Sequence, residues 1–146
     1  TLGIQSFRGT EAGWMYQASD YKGQLNALNR AARLIDAYIN ISGHNTYTLA
    51  DCTTCKPFNF PSSRQLRPYS KKLSILENLR LNRIKNSMTY AAKNNEIFHL
   101  WWHPHNFGVN HKQNMAFLKK LMQHYSELHT AYDMQSLNMA ELSSLK

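Results

Sequence analysis

The residues best suited to chemistry crowd into one stretch, EIFHLWWHPHNFGV at positions 96–109. His99, His103 and His105 lie there beside Trp101, Trp102 and Asn106. Imidazole takes up and releases a proton near neutrality, so it suits acid–base work or metal binding. His103 is the first residue past the apolar run Ile97–Trp102 and stands before Pro104. Proline removes a backbone donor and pushes the preceding residue into extended conformation, so the His103 ring sits on restrained backbone. In an extended chain the three histidines share a face, but the nearest acid, Glu96, stands at the other end of the run. Histidine ligands are usually joined by carboxylates or thiolates, so the spacing favours one aimed proton donor over a self-contained metal cluster. His99 and His105 then take packing or supporting roles, bonded to backbone. Trp101 and Trp102 alternate to opposite sides of a regular strand, and either one is placed to keep water from the imidazole. Arg8, after the short apolar run Ile4–Phe7, is a second candidate. Its permanent, forked charge can pair a carboxylate or steady a developing oxyanion, or be an ordinary surface arginine.

These candidates do not complete an active site. The chain holds no serine nucleophile elbow, no phosphate loop and no HExxH helix. Cys52-Thr-Thr-Cys55 lacks the second CxxC of a zinc ribbon and lies in a polar loop. It reads as structural or incidental, with a local disulfide or metal clip as the alternative. The formal charge is +8, and Arg64, Arg67, Lys71, Lys72, Arg80, Arg83, Lys85 and Lys93 form a basic stretch. A solvated helix face is its plainest reading. A non-catalytic module that binds anionic glycan or nucleic acid, using Tyr69 and Tyr90 beside these cations, is the rival reading. No RNA- or DNA-binding motif supports the nucleic-acid version.

At 146 residues and 42% apolar, the chain is one domain by size or part of a larger one. No run approaches the roughly 18 apolar residues of a membrane span. No basic-then-apolar leader is present, which a previously removed leader would also produce. The start at Thr1 without methionine, with a strand already under way at Ile4, suggests a piece of a longer protein, a processed terminus being the alternative.

The elements that must carry the candidates follow from periodicity. Leu25, Leu28, Ala32, Ile35 and Tyr38 predict an amphipathic helix over about 24–40, stopped by Ser42-Gly43. The stretch 44–70, broken by Pro57, Pro61 and Pro68, reads as an irregular loop, either functional or pinned by its own packing. A second helix is expected over 72–94 on Leu73, Leu76, Leu79, Ile84, Met88 and Ala91. A strand buried on both faces follows over 97–102. A third helix opens at Val109-Asn110 on Met115, Leu118, Met122, Tyr125 and Leu128. A short strand over 133–139 and a terminal helix over 140–146 complete the chain. The alternation predicts an α/β fold with parallel strands and outer helices. In such folds chemistry gathers at the C-terminal strand ends, where Arg8 and His103 both fall.

The segment 98–107, FHLWWHPHNF, resembles the last motif of polysaccharide deacetylases of the NodB-homology type, most closely the subgroup associated with surface-polysaccharide biosynthesis. Ser6-Phe7-Arg8-Gly9 with Trp14 resembles that family's arginine motif. INISGH at 39–44, PSSR at 61–64, LRP at 66–68 and MTYAAKN at 88–94 are also similar to the subgroup. The resemblance spans nearly the whole chain but only the C-terminal half of the family's domain. It implies the C-terminal portion of a distorted (β/α) barrel, residues 1–146 being a partial deacetylase domain whose N-terminal, metal-binding half precedes Thr1. It implies hydrolysis of N- or O-acetyl groups on a surface polysaccharide or its precursor, in the bacterial cytoplasm or cell envelope. By resemblance His103 is the general acid, Arg8 orients a catalytic aspartate, and Trp14 with Trp101 or Trp102 lines the groove. His105 and Asn106 would support them. The implied cofactor is a divalent metal, commonly zinc, that makes a bound water nucleophilic, with its ligands upstream and none in this chain. The chain alone would then be inactive. The family's aspartate motif that tunes the histidine has no match, and Asp36, in a helix stripe, is left unassigned.

Overall fold

The computed structural model describes residues 3–11, 13, 15, 16 and 27–145. Its frame is three extended stretches running parallel. β1 (Ser6–Phe7) pairs with β2 (Phe58–Asn59), Ser6 opposite Phe58. β3 (Arg64–Gln65) pairs with β4 (Leu100–Trp101), Arg64 opposite Leu100. β2 and β3 belong to one run of chain that serves both neighbours. The amides of Phe58, Phe60 and Ser62 donate to the carbonyls of Gln5, Phe7 and Gly9, whereas Ser63 and Arg64 donate to His99 and Leu66 to Trp101. A regular strand sends alternate amides to one side. The change of partner therefore marks a turn of the backbone at Ser62-Ser63, and the Ser63 hydroxyl accepts the His99 amide there at 2.9 Å.

Helices surround this ribbon. α1 (Ala27–Asp36) and the short α2 (Leu49–Cys52) precede β2. A 3₁₀ helix (Lys71–Leu76) leads into α3 (Glu77–Asn94). Past β4 a 3₁₀ turn (Pro104–Phe107) leads into α4 (His111–Tyr132), and α5 (Met139–Ser144) closes the described chain. The arrangement is α/β in the general sense, helix-rich with short parallel strand pairs. No helix among the described residues is long and apolar enough to cross a membrane.

The main core lies between α3 and α4, where Leu81, Ile84 and Met88 meet Phe117, Leu121 and Leu128, with Leu66 and Phe107 closing it. A second core gathers Cys52, Phe58 and Phe60 against Tyr47, Ile97 and Leu142. Cys52 and Cys55 are free thiols, the first buried and the second exposed.

Several expectations change. The stretch 44–70 is not irregular throughout, because it contains α2, β2 and β3; the second core pins it, in line with the packing alternative. Residues 133–139 form no strand. α4 ends on Asp133 in left-handed conformation, and α5 begins at Met139 on an Asn138–Glu141 capping box. The expected strand over 97–102 pairs in parallel only at Leu100–Trp101, and it is half-buried rather than buried on both faces. Ile97 instead bridges antiparallel to Tyr47. In α1 the apolar stripe faces out, with Leu28 76% and Ile35 47% exposed, while Asp36 and Ala37 turn inward. The polar partners of Asp36 decide that phase.

Candidate functional site

β1 and β4 carry their candidates to the same end of the ribbon. Arg8 follows β1, and its guanidinium carbon lies 4.2 Å from the centroid of the Trp101 ring. A cation over an indole face is attracted by the ring quadrupole, which holds Arg8 at the β4 end. The His103 ring meets the same indole edge-on, with centroids 5.2 Å apart at 87°. His105 stacks on His103 at 5.3 Å. His103 adopts the extended backbone expected before proline (φ −95°, ψ 118°), and its carbonyl accepts the Asn106 amide at 3.0 Å. Arg8, Trp101, His103 and His105 thus form one chain of ring contacts. The His103 and His105 rings are exposed.

The remaining candidates fall to either side. Trp102 leaves the cluster and stacks on Phe107 at 6.0 Å, as strand alternation requires. His99 is half-buried, with Nδ1 3.2 Å from the Phe60 carbonyl. Burial lowers its pKa, the backbone hydrogen bond opposes this, and the charge of Arg8 adds to the lowering. It is a packing residue. Trp14 lies outside the described residues. Among the described residues no three His, Cys, Asp or Glu side chains could hold a metal ion together. Two stacked imidazoles without a carboxylate do not make such a site.

The basic stretch is not a solvated face throughout, since Arg64, Arg80 and Arg83 are buried. Arg80 pairs with Glu77 at 2.5 Å, donates to the Arg67 carbonyl and lies 3.9 Å from the centroid of the Phe117 ring. Arg64 and Arg83 converge on Asp36, at 3.0 and 3.5 Å. Asp36 is the first of two residues that sequence reasoning missed. Its carboxylate also accepts the amides of Ile41 and Ser42, the Ser42 hydroxyl and the Tyr16 hydroxyl. Burial alone would raise its pKa. The Ser42 amide, the Arg64 charge and the Ser42 hydroxyl outweigh burial, and the pKa falls from 3.8 to about 2. Beyond it Arg83 donates to the Ser87 hydroxyl at 2.7 Å and to the Gly43 carbonyl at 2.5 Å. His44 stands 3.2 Å from the same Ser87 hydroxyl and stacks on Tyr90. One signal was available in the sequence. An acid followed six residues later by Ser42-Gly43 is placed to close the end of a helix onto its own turn.

Glu11 is the second residue missed. It follows β1 by four residues, is only 5% exposed and neighbours Arg64 and Tyr16. Burial pushes its pKa up to about 7, against the Arg64 charge. An isolated glutamate in a loop carries no periodic signal, so only the fold reveals its burial.

No family model, no curated protein and no solved structure matches the chain.

Proposed function

We propose that the chain is the C-terminal portion of a (β/α)-barrel carbohydrate deacetylase that removes acetyl groups from a surface polysaccharide or its precursor. The observation that carries this reading is the convergence of Arg8, Trp101 and His103 at the C-terminal ends of parallel strands. Those are the positions that the resemblance assigns to the positioning arginine, the groove wall and the general acid.

His103 protonates the departing amine nitrogen or alkoxide as the tetrahedral intermediate collapses. Trp101 limits the paths by which its ring can swing, and Pro104 restrains its backbone. Arg8, spread over the indole, presents a fixed charge to a carboxylate supplied by residues before Thr1. Those residues also supply the divalent metal ligands. The exposed apolar side chains Ile4, just before β1, and Phe7, on it, give that preceding half a surface to cover.

The test uses a protein in which this chain is preceded by its upstream half. His103→Ala is expected to lower acetate release from an acetylated oligosaccharide by roughly 10²- to 10⁴-fold, the usual worth of a positioned acid. Metal content should stay unchanged. Loss of the metal in that variant would make His103 a ligand and end the acid assignment. Chelator-sensitive acetate release by the 146-residue chain alone would refute the split between the two halves.

A further inference from the structure

α1 is turned inside out. Asn29, Arg33 and Asp36 form its polar stripe, and that stripe faces the body of the protein. Asp36 is buried against Arg64 and Arg83, and Arg33 donates to the Met15 carbonyl at 3.0 Å. The opposite stripe is apolar. Leu28, Ala31, Ile35 and Ile39 follow one another at helical spacing, and the Ile39 amide donates to the Ile35 carbonyl at 2.9 Å, which carries the helical turn that far. All four are exposed, as is Leu34 beside them. A helix of a globular protein ordinarily buries its apolar stripe and wets its polar one. Here the ion pairs of Asp36 reverse that and leave the apolar stripe for another surface to cover.

Charge narrows what that surface is. Arg30 stands exposed at the edge of the stripe, and Arg67 borders a groove with Arg30, Ala31 and Leu34. Neither Arg30 nor Arg67 has an ion-pair partner among the described residues. Between positions 27 and 45 the sequence holds one acid, the buried Asp36, and the whole chain carries +8. Apolar side chains flanked by uncompensated arginines match the layering of a membrane surface, where acyl chains lie beneath anionic headgroups. A soluble polyanion makes no use of Leu28 and Ile35. A two-fold pairing of this face with a second copy joins two arginine-flanked faces with no acid between them, which keeps self-association weak. A fluid bilayer takes a convex helix face without needing a complementary groove.

We propose that α1 and the turn after it form a docking surface for an anionic lipid bilayer. The helix lies along the interface, with Leu28, Ala31, Ile35 and Ile39 at the acyl boundary and Arg30 and Arg67 at the headgroup phosphates. The chain is held on the membrane without crossing it, and the surface does not depend on the deacetylase reading. Each arginine near such a surface contributes roughly fivefold to binding, and salt screens that contribution.

The test is flotation of the 146-residue chain with vesicles of phosphatidylcholine alone or of phosphatidylcholine mixed with phosphatidylglycerol. Self-associated protein stays at the bottom of the gradient, so only lipid-bound chain rises. The mixed vesicles should bind roughly tenfold or more tightly than the neutral ones, and about 0.5 M salt should erase most of that margin. Leu28→Gln combined with Ile35→Gln should lower binding roughly tenfold or more with helical circular dichroism unchanged. Arg30→Gln should lower it roughly fivefold, and it decides the matter if the double variant does not fold. Ile75→Gln, at a position 89% exposed in the 3₁₀ helix before α3, should bind like the parent. No binding, equal binding to both vesicles, unchanged binding in Arg30→Gln, or an equal loss in Ile75→Gln would overturn the proposal. So would tighter binding of a single-stranded oligonucleotide that survives the Leu28 and Ile35 substitutions. None of these readouts uses acetate release, so failure here leaves the role of His103 to its own experiment.

Discussion

Asp36 holds two guanidinium groups in place at once. Two cations facing each other in the interior are tolerable only while a carboxylate stands between them. Asp36→Asn should therefore cost about 3–5 kcal/mol in denaturant unfolding, the usual loss when one partner of a buried ion pair is removed. Its acid limb follows by linkage. The folded pKa of about 2 lies below the ordinary 3.8, so the stabilisation is complete above 3.8 and is lost as pH falls toward 2. That loss amounts to roughly 2 kcal/mol, and it should be missing from the Asn variant. Glu11 works in the opposite direction. Its folded pKa of about 7 exceeds the ordinary 4.5, so folding is unhindered below 4.5 and carries the full cost of a buried charge above 7. Glu11→Gln should match the parent at pH 4 and exceed it by about 3 kcal/mol at pH 8. Parallel stability–pH curves for the two proteins would contradict this.

At the level of elements, α4 shows where periodicity stops being informative. Two apolar rows run along it, one residue apart. Of the row that the sequence favours, Leu128 is buried and Leu118 and Tyr125 pack against the core, but Met115 and Met122 are exposed, and Phe117 and Leu121 of the neighbouring row are buried instead. Asn114 selects between them. Its side chain accepts the Tyr69 amide at 2.6 Å and donates to the Val109 carbonyl at 2.8 Å, which locks the first turn. A polar residue that sets a helix phase is invisible to a hydrophobic count. Leu121→Ala should cost 2–5 kcal/mol and Met122→Ala under about 1 kcal/mol, by thermal or denaturant unfolding. Similar losses for both would mean the other row is buried. The run 58–66 escaped notice for a related reason. Pro61, Ser62 and Ser63 interrupt it, and each half pairs over only two residues, too short for alternation to register. The helices over 77–94 and 111–132 were legible because their length averages out such local exceptions. The placement of Arg8 and His103 past strand ends was legible because a strand followed by a special residue is a local pattern, whereas Asp36 and Glu11 owe their character to partners far along the chain.

For the whole molecule, much apolar surface remains uncovered. Ile4 before β1, Leu28 and Ile35 on α1, and Ile39 and Ile41 in the turn that follows are between 47% and 76% exposed, and Ile75, Val109 and Leu145 stand out elsewhere. Large exposed apolar surface favours association. The 146-residue chain should self-associate at tens of micromolar in sedimentation experiments, and Leu28→Lys combined with Ile35→Lys should return it to a monomer. A parent that stays monomeric and binds no apolar dye would show this surface to be harmless.

The parallel pairing has a kinetic consequence. Ser6 meets Phe58, and Arg64 meets Leu100, so neither contact can form until a long segment has been closed into a loop. The α3–α4 pair, by contrast, needs only the short stretch from Asn94 to His111 to fold back. Proteins dominated by distant pairings fold more slowly than those built on neighbouring ones. The helical pair is therefore positioned to assemble first and act as a template. The end of the ribbon where Arg8 is brought onto Trp101 is then among the last parts to be completed.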